Sequence, residues 1–303
     1  MERRNDRVVV VGEVLFDAFP DGDRLGGAPF NFAWHLQGLG FAPQLLSRVG
    51  EDPRGARILT AMAAHGMSPD GLQRDPTHPT GVVRVRLDGG GGHGFEIVPD
   101  QAYDHLAAPP VAAAARDADL FYFGTLATRA PESRAAILTA ASAAPAVRFL
   151  DLNLRPGCWS APAVTACLEQ ATVAKLNDDE LTVLCDLYAL PTGEEAGCRG
   201  LGERFGLHTV IVTRGERGAL WLDDAGAVEQ PAPAVTIVDT VGAGDGFAAV
   251  AATGLLRGWS PATTLERATA FAARICAQRG ACPDDPGFYA PLRRDWGLEG
   301  TWS

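Results

Sequence analysis

Lysine is almost missing from this chain: among 303 residues there is one, Lys175, and it is followed by Leu176. That scarcity excludes a Walker A loop, which needs Lys-Ser or Lys-Thr after its glycines. The lysine-bearing strand and His-Arg-Asp loop of a protein kinase are missing too. Any phosphate chemistry is therefore expected to rest on backbone amides, metal ions and arginine. The glycine-led helix entry at 26–36 lacks G-x-G-x-x-G and so fails as a dinucleotide fingerprint. No 18-residue apolar run argues for a membrane span, and no basic block or acidic tail accompanies the net charge of −11. Nucleic acid and anionic membrane surfaces are thus not expected partners. The six cysteines (158, 167, 185, 198, 276 and 282) form no C-x-x-C pair, and the histidines are scattered, so reduced thiols are expected and no zinc site. The opening Met1–Arg7 has no signal-peptide pattern, and a cytoplasmic location is the expectation.

What is present suits a large α/β core, with 47% hydrophobic residues. Val8 to Asp17 reads as one central parallel strand ending in an acid. Further strand-like runs at 120–123, 147–152, 172–176 and 209–213 alternate with helical stretches at 54–65, 131–144, 161–170, 178–187 and 194–205. This alternation predicts a three-layer, doubly wound, mostly parallel sheet, built as a single domain over 1–303. Residues 80–87 and 94–99 alternate apolar and polar and flank Gly89–Gly92, which reads as an antiparallel hairpin. Such an insertion serves either as a lid or as a surface excrescence.

Five motifs carry chemistry. Asp239-Thr240-Val241-Gly242-Ala243-Gly244-Asp245-Gly246-Phe247 is a small-residue turn into an apolar helix. Its first amides suit an anion and Asp245 suits a base, although an ordinary helix start has the same composition. Gly26-Gly27-Ala28-Pro29-Phe30-Asn31 is a second glycine-led helix entry, in which Asn31 can grip hydroxyls or merely cap. Alternation after a strand puts Asp151, Asn153 and Arg155 on one side, as a polar pocket floor. Asn177 and Glu180 have capping-box spacing, which can coexist with holding the waters of Mg²⁺. Thr213, Gly215 and Gly218 follow another strand and suit either a phosphate or a hairpin turn.

In this order and at these separations, the five motifs resemble the ribokinase-like carbohydrate kinases, the PfkB family, along almost the whole chain. The resemblance implies a three-layer α/β fold with a small β lid, formed by about 17–25 and 80–100, and transfer of the ATP γ-phosphoryl group to a sugar hydroxyl. It implies Asp245 as base and Gly242, Ala243 and Gly244 as anion hole. Asp17, Gly27, Asn31 and Arg155 would bind the sugar and the group being transferred. Asn177 and Glu180 would hold Mg²⁺ through water, and Thr213, Gly215, Gly218, Asn177 and Gly244 would contact the nucleotide. Asp239, Val241, Ile275, Gln278, Gly280 and Asp284 match a monovalent-cation loop, with potassium as the expected ion. Gly-Glu-Val-Leu-Phe-Asp at 12–17, the Gly26–Asn31 turn and Phe123-Gly124-Thr125-Leu126 look most like the fructokinase branch. D-fructose is the leading acceptor, with 2-keto-3-deoxygluconate kinase or ribokinase activity as alternatives and a catalytically silent sugar or nucleotide sensor as the reading from another class. ATP and sugar are the expected small-molecule partners, and lid-to-lid homodimers occur in the family.

Overall fold

Val8–Val11 (β1) is buried on both faces, the signature of a parallel strand covered by helices on either side. The structure, a computed structural model, describes residues 6–87, 93–144, 147–283 and 285–299; Gly89–Gly92 and Asp284 lie outside them. Among the described residues the strands continue as β2 (Leu15–Phe19), β3 (Gly22–Gly26), β4 (Gln44–Gly50), β5 (Leu72–Asp75), β6 (Gly81–Leu87) and β7 (His93–Ile97). Then follow β8 (Leu120–Gly124), β9 (Val147–Asp151), β10 (Val173–Asn177), β11 (Thr209–Thr213), β12 (Ala219–Asp223) and β13 (Gly226–Gln230). The helices are α1 (Ala28–Gly38), α2 (Pro53–Ala64), α3 (Ala108–Ala115), α4 (Pro131–Ala143) and α5 (Ala161–Gln170), then α6 (Asp178–Tyr188), α7 (Glu194–Phe205), α8 (Ala243–Arg257), α9 (Pro261–Cys276) and α10 (Ala290–Asp295).

Nine strands form one sheet in the order β13-β12-β11-β10-β9-β8-β1-β4-β5. It is parallel from β11 through β5, while β12 and β13 add an antiparallel edge. One face packs on α1, α8 and α9 through Phe30, Phe247 and Phe271, and the other on α4 to α7 through Ile137, Cys167, Leu184 and Leu201. Two cores on one sheet make the three layers that the alternation of strands and helices predicts. No helix among the described residues is long and apolar enough to cross a membrane.

A second sheet, ordered β3-β2-β6-β7, stands apart from the first. The expected hairpin is there, as antiparallel β6 and β7. Its partner strands β2 and β3 overlap the 17–25 stretch that the resemblance adds to the hairpin, but the single strand expected over Val8 to Asp17 is two strands. Gly12 has φ 147°, and a Cβ on it would meet Cγ of Pro29 at 2.5 Å. The missing side chain lets α1 pack against this bend, so the chain leaves the large sheet after β1 and enters the small one as β2. A second correction concerns the polar floor. β9 ends at Asp151, and Asn153 sits at φ 45°, so strand alternation does not carry on to Arg155.

Candidate active site

The N-terminus of α8 is built by a glycine that nothing else can replace. Gly242, the N-cap, has φ 79°, and a Cβ there would lie 2.3 Å from Cβ of Ala281. Its bareness lets the 280–282 loop pack against the turn. The Ala243 N–H donates to the Thr240 carbonyl at 3.3 Å, and Gly246 N–H donates to Gly242 at 2.9 Å. The amides of Gly244 and Asp245 take no acceptor among the described residues, which leaves two donors open toward an anion.

Asp245 lies in this first turn and is joined to the other glycine-led helix. Asn31 Nδ2 donates to Asp245 Oδ2 at 2.7 Å, while Asn31 Oδ1 accepts from Cys282 Sγ at 3.2 Å. The two glycine-led motifs of the sequence therefore meet, and Asn31 orients the carboxylate. Burial, with the charge of Asp151 added, pushes the Asp245 carboxyl up to about 6; Asn31, Lys175 and Arg155 pull the other way. A carboxyl in that range can change protonation at neutral pH, as a base must.

The one lysine of the chain is part of this site, contrary to the expectation that phosphate chemistry here does without it. Lys175 on β10 is paired in register with Asp151 on β9. Its Nζ donates to Asp151 at 3.0 and 3.3 Å, and Tyr122 Oη donates to the same carboxylate at 3.1 Å. A Cβ on Gly244 would come within 3.2 Å of Nζ, so the ammonium abuts the open amides of α8. Burial works against its charge, yet Asp151, Asp245 and Glu180 together hold it above the ordinary lysine range. A signal existed: a lysine inside an apolar strand is buried only with a partner, and Asp151 ends the preceding strand.

Glu13 is a second residue that sequence reasoning passed over. It is 3% exposed, and its Oε2 has no hydrogen-bond partner. Burial pushes its carboxyl up to about 7, with the Asp245 charge adding to that and Arg155 and the Ala28 amide opposing it. The Ala28 contact has a structural logic. α1 begins at Ala28 after Gly27, which has no side chain to cap it, and the Ala28 amide dipole favours the ionised form of Glu13 from across the bend. Gly27 has φ 108°, and a Cβ there would press on the Glu13 carbonyl at 2.7 Å. Asp17, on β2, is half-buried; burial raises its carboxyl while Arg155 and Arg24 lower it. Arg155 is exposed and acts electrostatically on Glu13, Asp17 and Asp245 alike, which places its charge at the mouth of the acidic cleft.

Beside α8 runs a groove of about 600 Å³. Thr213, Gly215, Gly218 and Gly244 all line it, so four of the expected nucleotide residues come together there. An apolar stretch of its wall comes from Val235, Ile237, Phe247 and Ala272, and no motif announces it. Gly218 has φ 92°, and a Cβ there would stand 1.9 Å from the Gln230 carbonyl. Asn177 and Glu180 do not line the groove. They close a capping box on α6, with Glu180 N–H donating to Asn177 Oδ1 at 2.8 Å and Asn177 N–H to Glu180 Oε2 at 2.9 Å. Leu154 N–H donates to the other Glu180 oxygen at 2.6 Å. Asp239 accepts from Val241 N–H at 3.1 Å and from Gly280 N–H at 3.0 Å, which ties together two of the segments expected to form a cation loop.

The sequence and the fold have counterparts among known proteins. The pattern of the pfkB family carbohydrate kinases matches residues 6–286. Fructokinase from Escherichia coli is 28% identical over 262 residues, covering 82% of this chain and 84% of that one. The crystal structure of fructokinase from Xylella fastidiosa with bound ATP superposes with a TM-score of 0.82 at 24% identity, over 96% of this chain and 99% of that one. Fructokinase from Vibrio cholerae O395, solved with fructose, ADP and calcium ion, gives a TM-score of 0.76 at 26% identity, over 92% and 95% of the two chains. Matched along nearly its whole length, the chain belongs to the pfkB family of carbohydrate kinases and is an ATP-dependent sugar kinase.

Proposed function

We propose that the acceptor is D-fructose and the product fructose 6-phosphate. The observation that carries the reading is the 2.7 Å bond from Asn31 to Asp245, which sets a half-buried carboxylate beside the open amides of α8. The likeness to fructokinases supports the choice of sugar. In this reading Asp17, Gly27, Asn31 and Arg155 hold the sugar, and Asp245 takes the proton of its reacting hydroxyl. Gly242, Ala243 and Gly244 shape the anion hole, in which the amides of Gly244 and Asp245 face the group being transferred. Lys175 adds a fixed positive charge at the same point. Phosphoryl transfer asks mainly for such positioning and charge stabilisation. ATP lies in the groove of Thr213, Gly215 and Gly218 with its base on the apolar wall.

Asn177 and Glu180 fit Mg²⁺ through water rather than directly. Each Glu180 oxygen already accepts one backbone N–H and has a second lone pair to offer a water. Mg²⁺, when bound, neutralises charge on the phosphate oxygens. Potassium activation through Asp239, Val241, Ile275, Gln278 and Gly280 belongs to the same proposal, with Asp284 outside the described residues. So does closure of residues 17–25 and 80–100 over the sugar as a lid of one kinase domain, and a dimer that joins two such sheets, which light scattering at low concentration tests.

ATP turnover measured with fructose, 2-keto-3-deoxygluconate, ribose and adenosine tests the substrate. Fructose is expected to give the highest kcat/KM. A higher value with another acceptor reassigns the sugar, and sugar binding without turnover of any of them makes the chain a sensor.

A further inference from the structure

Three side chains that the sequence scatters come together at the base of the small sheet. His78 precedes β6, Asp100 follows β7, and His105 ends the short helical segment Ala102–His105. Their ligand atoms all lie within 4.8 Å of one another. We propose that His78, Asp100 and His105 bind a transition-metal dication of the zinc class, which fastens both ends of the β6–β7 hairpin to the core.

The imidazoles are held as metal-binding histidines are held. His78 Nδ1 lies 3.0 Å from Asp75 Oδ2, and His105 Nδ1 lies 3.0 Å from Glu132 Oε2. A carboxylate on Nδ1 fixes the proton there in the neutral ring, turns the Nε2 lone pair outward and raises its basicity. Both Nε2 atoms then face one oxygen, Asp100 Oδ1, at 2.8 Å from His105 and 3.8 Å from His78. Electron pairs converging in this way repel one another unless a cation stands between them. A proton shared by His105 and Asp100 meets part of that need; His78 still faces the carboxylate with a lone pair.

Asp100 itself is held at φ 58°, a left-handed conformation uncommon outside glycine, and such backbone strain concentrates at functional positions. The fit to an ion needs a small rearrangement. Bonds of about 2.0–2.2 Å around a tetrahedral ion set ligand atoms roughly 3.4 Å apart. His105 Nε2 and Asp100 Oδ1, now at 2.8 Å, therefore part slightly, while His78 Nε2 draws in from 3.8 Å. The Asp100 side chain, 74% exposed, has room for that movement, and the two rings, now stacked at 3.7 Å and 15°, fan apart with it. Water supplies the fourth position. Two imidazole nitrogens and one carboxylate oxygen favour zinc, cobalt, nickel or copper over magnesium, so this site does not compete for the ion of the ATP.

The test is titration of the whole chain with Co²⁺, without nucleotide or Mg²⁺, followed by visible absorption. One saturable equivalent is expected, with bands of a nitrogen and oxygen tetrahedral site, no thiolate charge transfer, and displacement by Zn²⁺. Asp100→Asn keeps a residue that tolerates the left-handed backbone, and Glu132→Gln changes only an exposed outer partner. Each is expected to weaken binding about 10–100-fold. Absence of saturable binding, a thiolate spectrum, or unchanged affinity in both variants overturns the site.

Discussion

Lys175 and Asp151 face each other across β10 and β9, Nζ 3.0 Å from Oδ1, directly beneath the start of α8. A buried ion pair of this kind is weak evidence for stability, because desolvation offsets the attraction. Its position is the stronger clue. The ammonium adjoins Gly244, so the pair holds a positive charge where the transferred phosphoryl group would sit.

Lys175→Met should therefore damage two things that can be separated. Leaving Asp151 buried and unpaired is expected to cost about 3–5 kcal/mol in urea unfolding. Adding Asp151→Asn should restore much of that stability and little of the turnover. A double variant that regains both together would make Lys175 a purely structural residue.

In its proposed role Asp245 serves as a base only when ionised, so activity should fall as pH drops through its pKa. With the carboxyl at about 6 in the free protein, kcat/KM is expected to be level above that pH and to decline about tenfold per pH unit below it. Asn31→Ala removes a hydrogen bond that favours the ionised form, and should move this limb to higher pH. Asp245→Asn should keep sugar and ATP binding while turnover falls ~10² to 10⁴-fold. Near-normal turnover in that variant would remove Asp245 from its proposed role.

Glu13 gives a stability signal of the opposite sign to an ordinary carboxylate. Its folded pKa of about 7 stands above the model-peptide value of 4.5, so the folded chain binds the extra proton between those limits. Stability is then full below about 4.5 and is lost as pH rises toward 7. At about 1.4 kcal/mol per pH unit the loss approaches ~3 kcal/mol. Glu13→Gln, neutral and of the same shape, should remove this slope and melt higher than the parent at pH 8. Parallel melting curves for the two proteins from pH 5 to 8 would contradict it.

The layers were legible in the sequence because each strand and helix announces itself locally. Helices α5 and α7 and strand β11 begin and end where their patterns do. Glycine-led turns were legible for the same reason. What was hidden lies in contacts between distant segments: Asn31 and Asp245 are 214 residues apart, and nothing near either one names the other. The bend at Gly12 was missed because valines and leucine on both sides read as one apolar run, while the ring that leaves no room for a side chain there belongs to Pro29. Lys175 was set aside because it lacks the neighbours of a phosphate loop, although its burial in a strand already demanded a partner.

Two glycines, two residues apart, should fail in different ways when changed to alanine. Gly242 is held at φ 79° against Ala281, so Gly242→Ala combines backbone strain with a collision and should unsettle the docking of the 280–282 loop. The expected loss is at least ~1 kcal/mol, with reduced turnover as a consequence. Gly244 has no such backbone constraint, and its added methyl would meet only the flexible end of Lys175 at 3.2 Å. Gly244→Ala should melt close to the parent yet transfer phosphate more slowly, because the methyl occupies the space between the open amides and the ammonium. Melting temperature and turnover measured on both variants decide the matter: a Gly244→Ala chain with unimpaired turnover would mean that the phosphoryl group does not pass through that space.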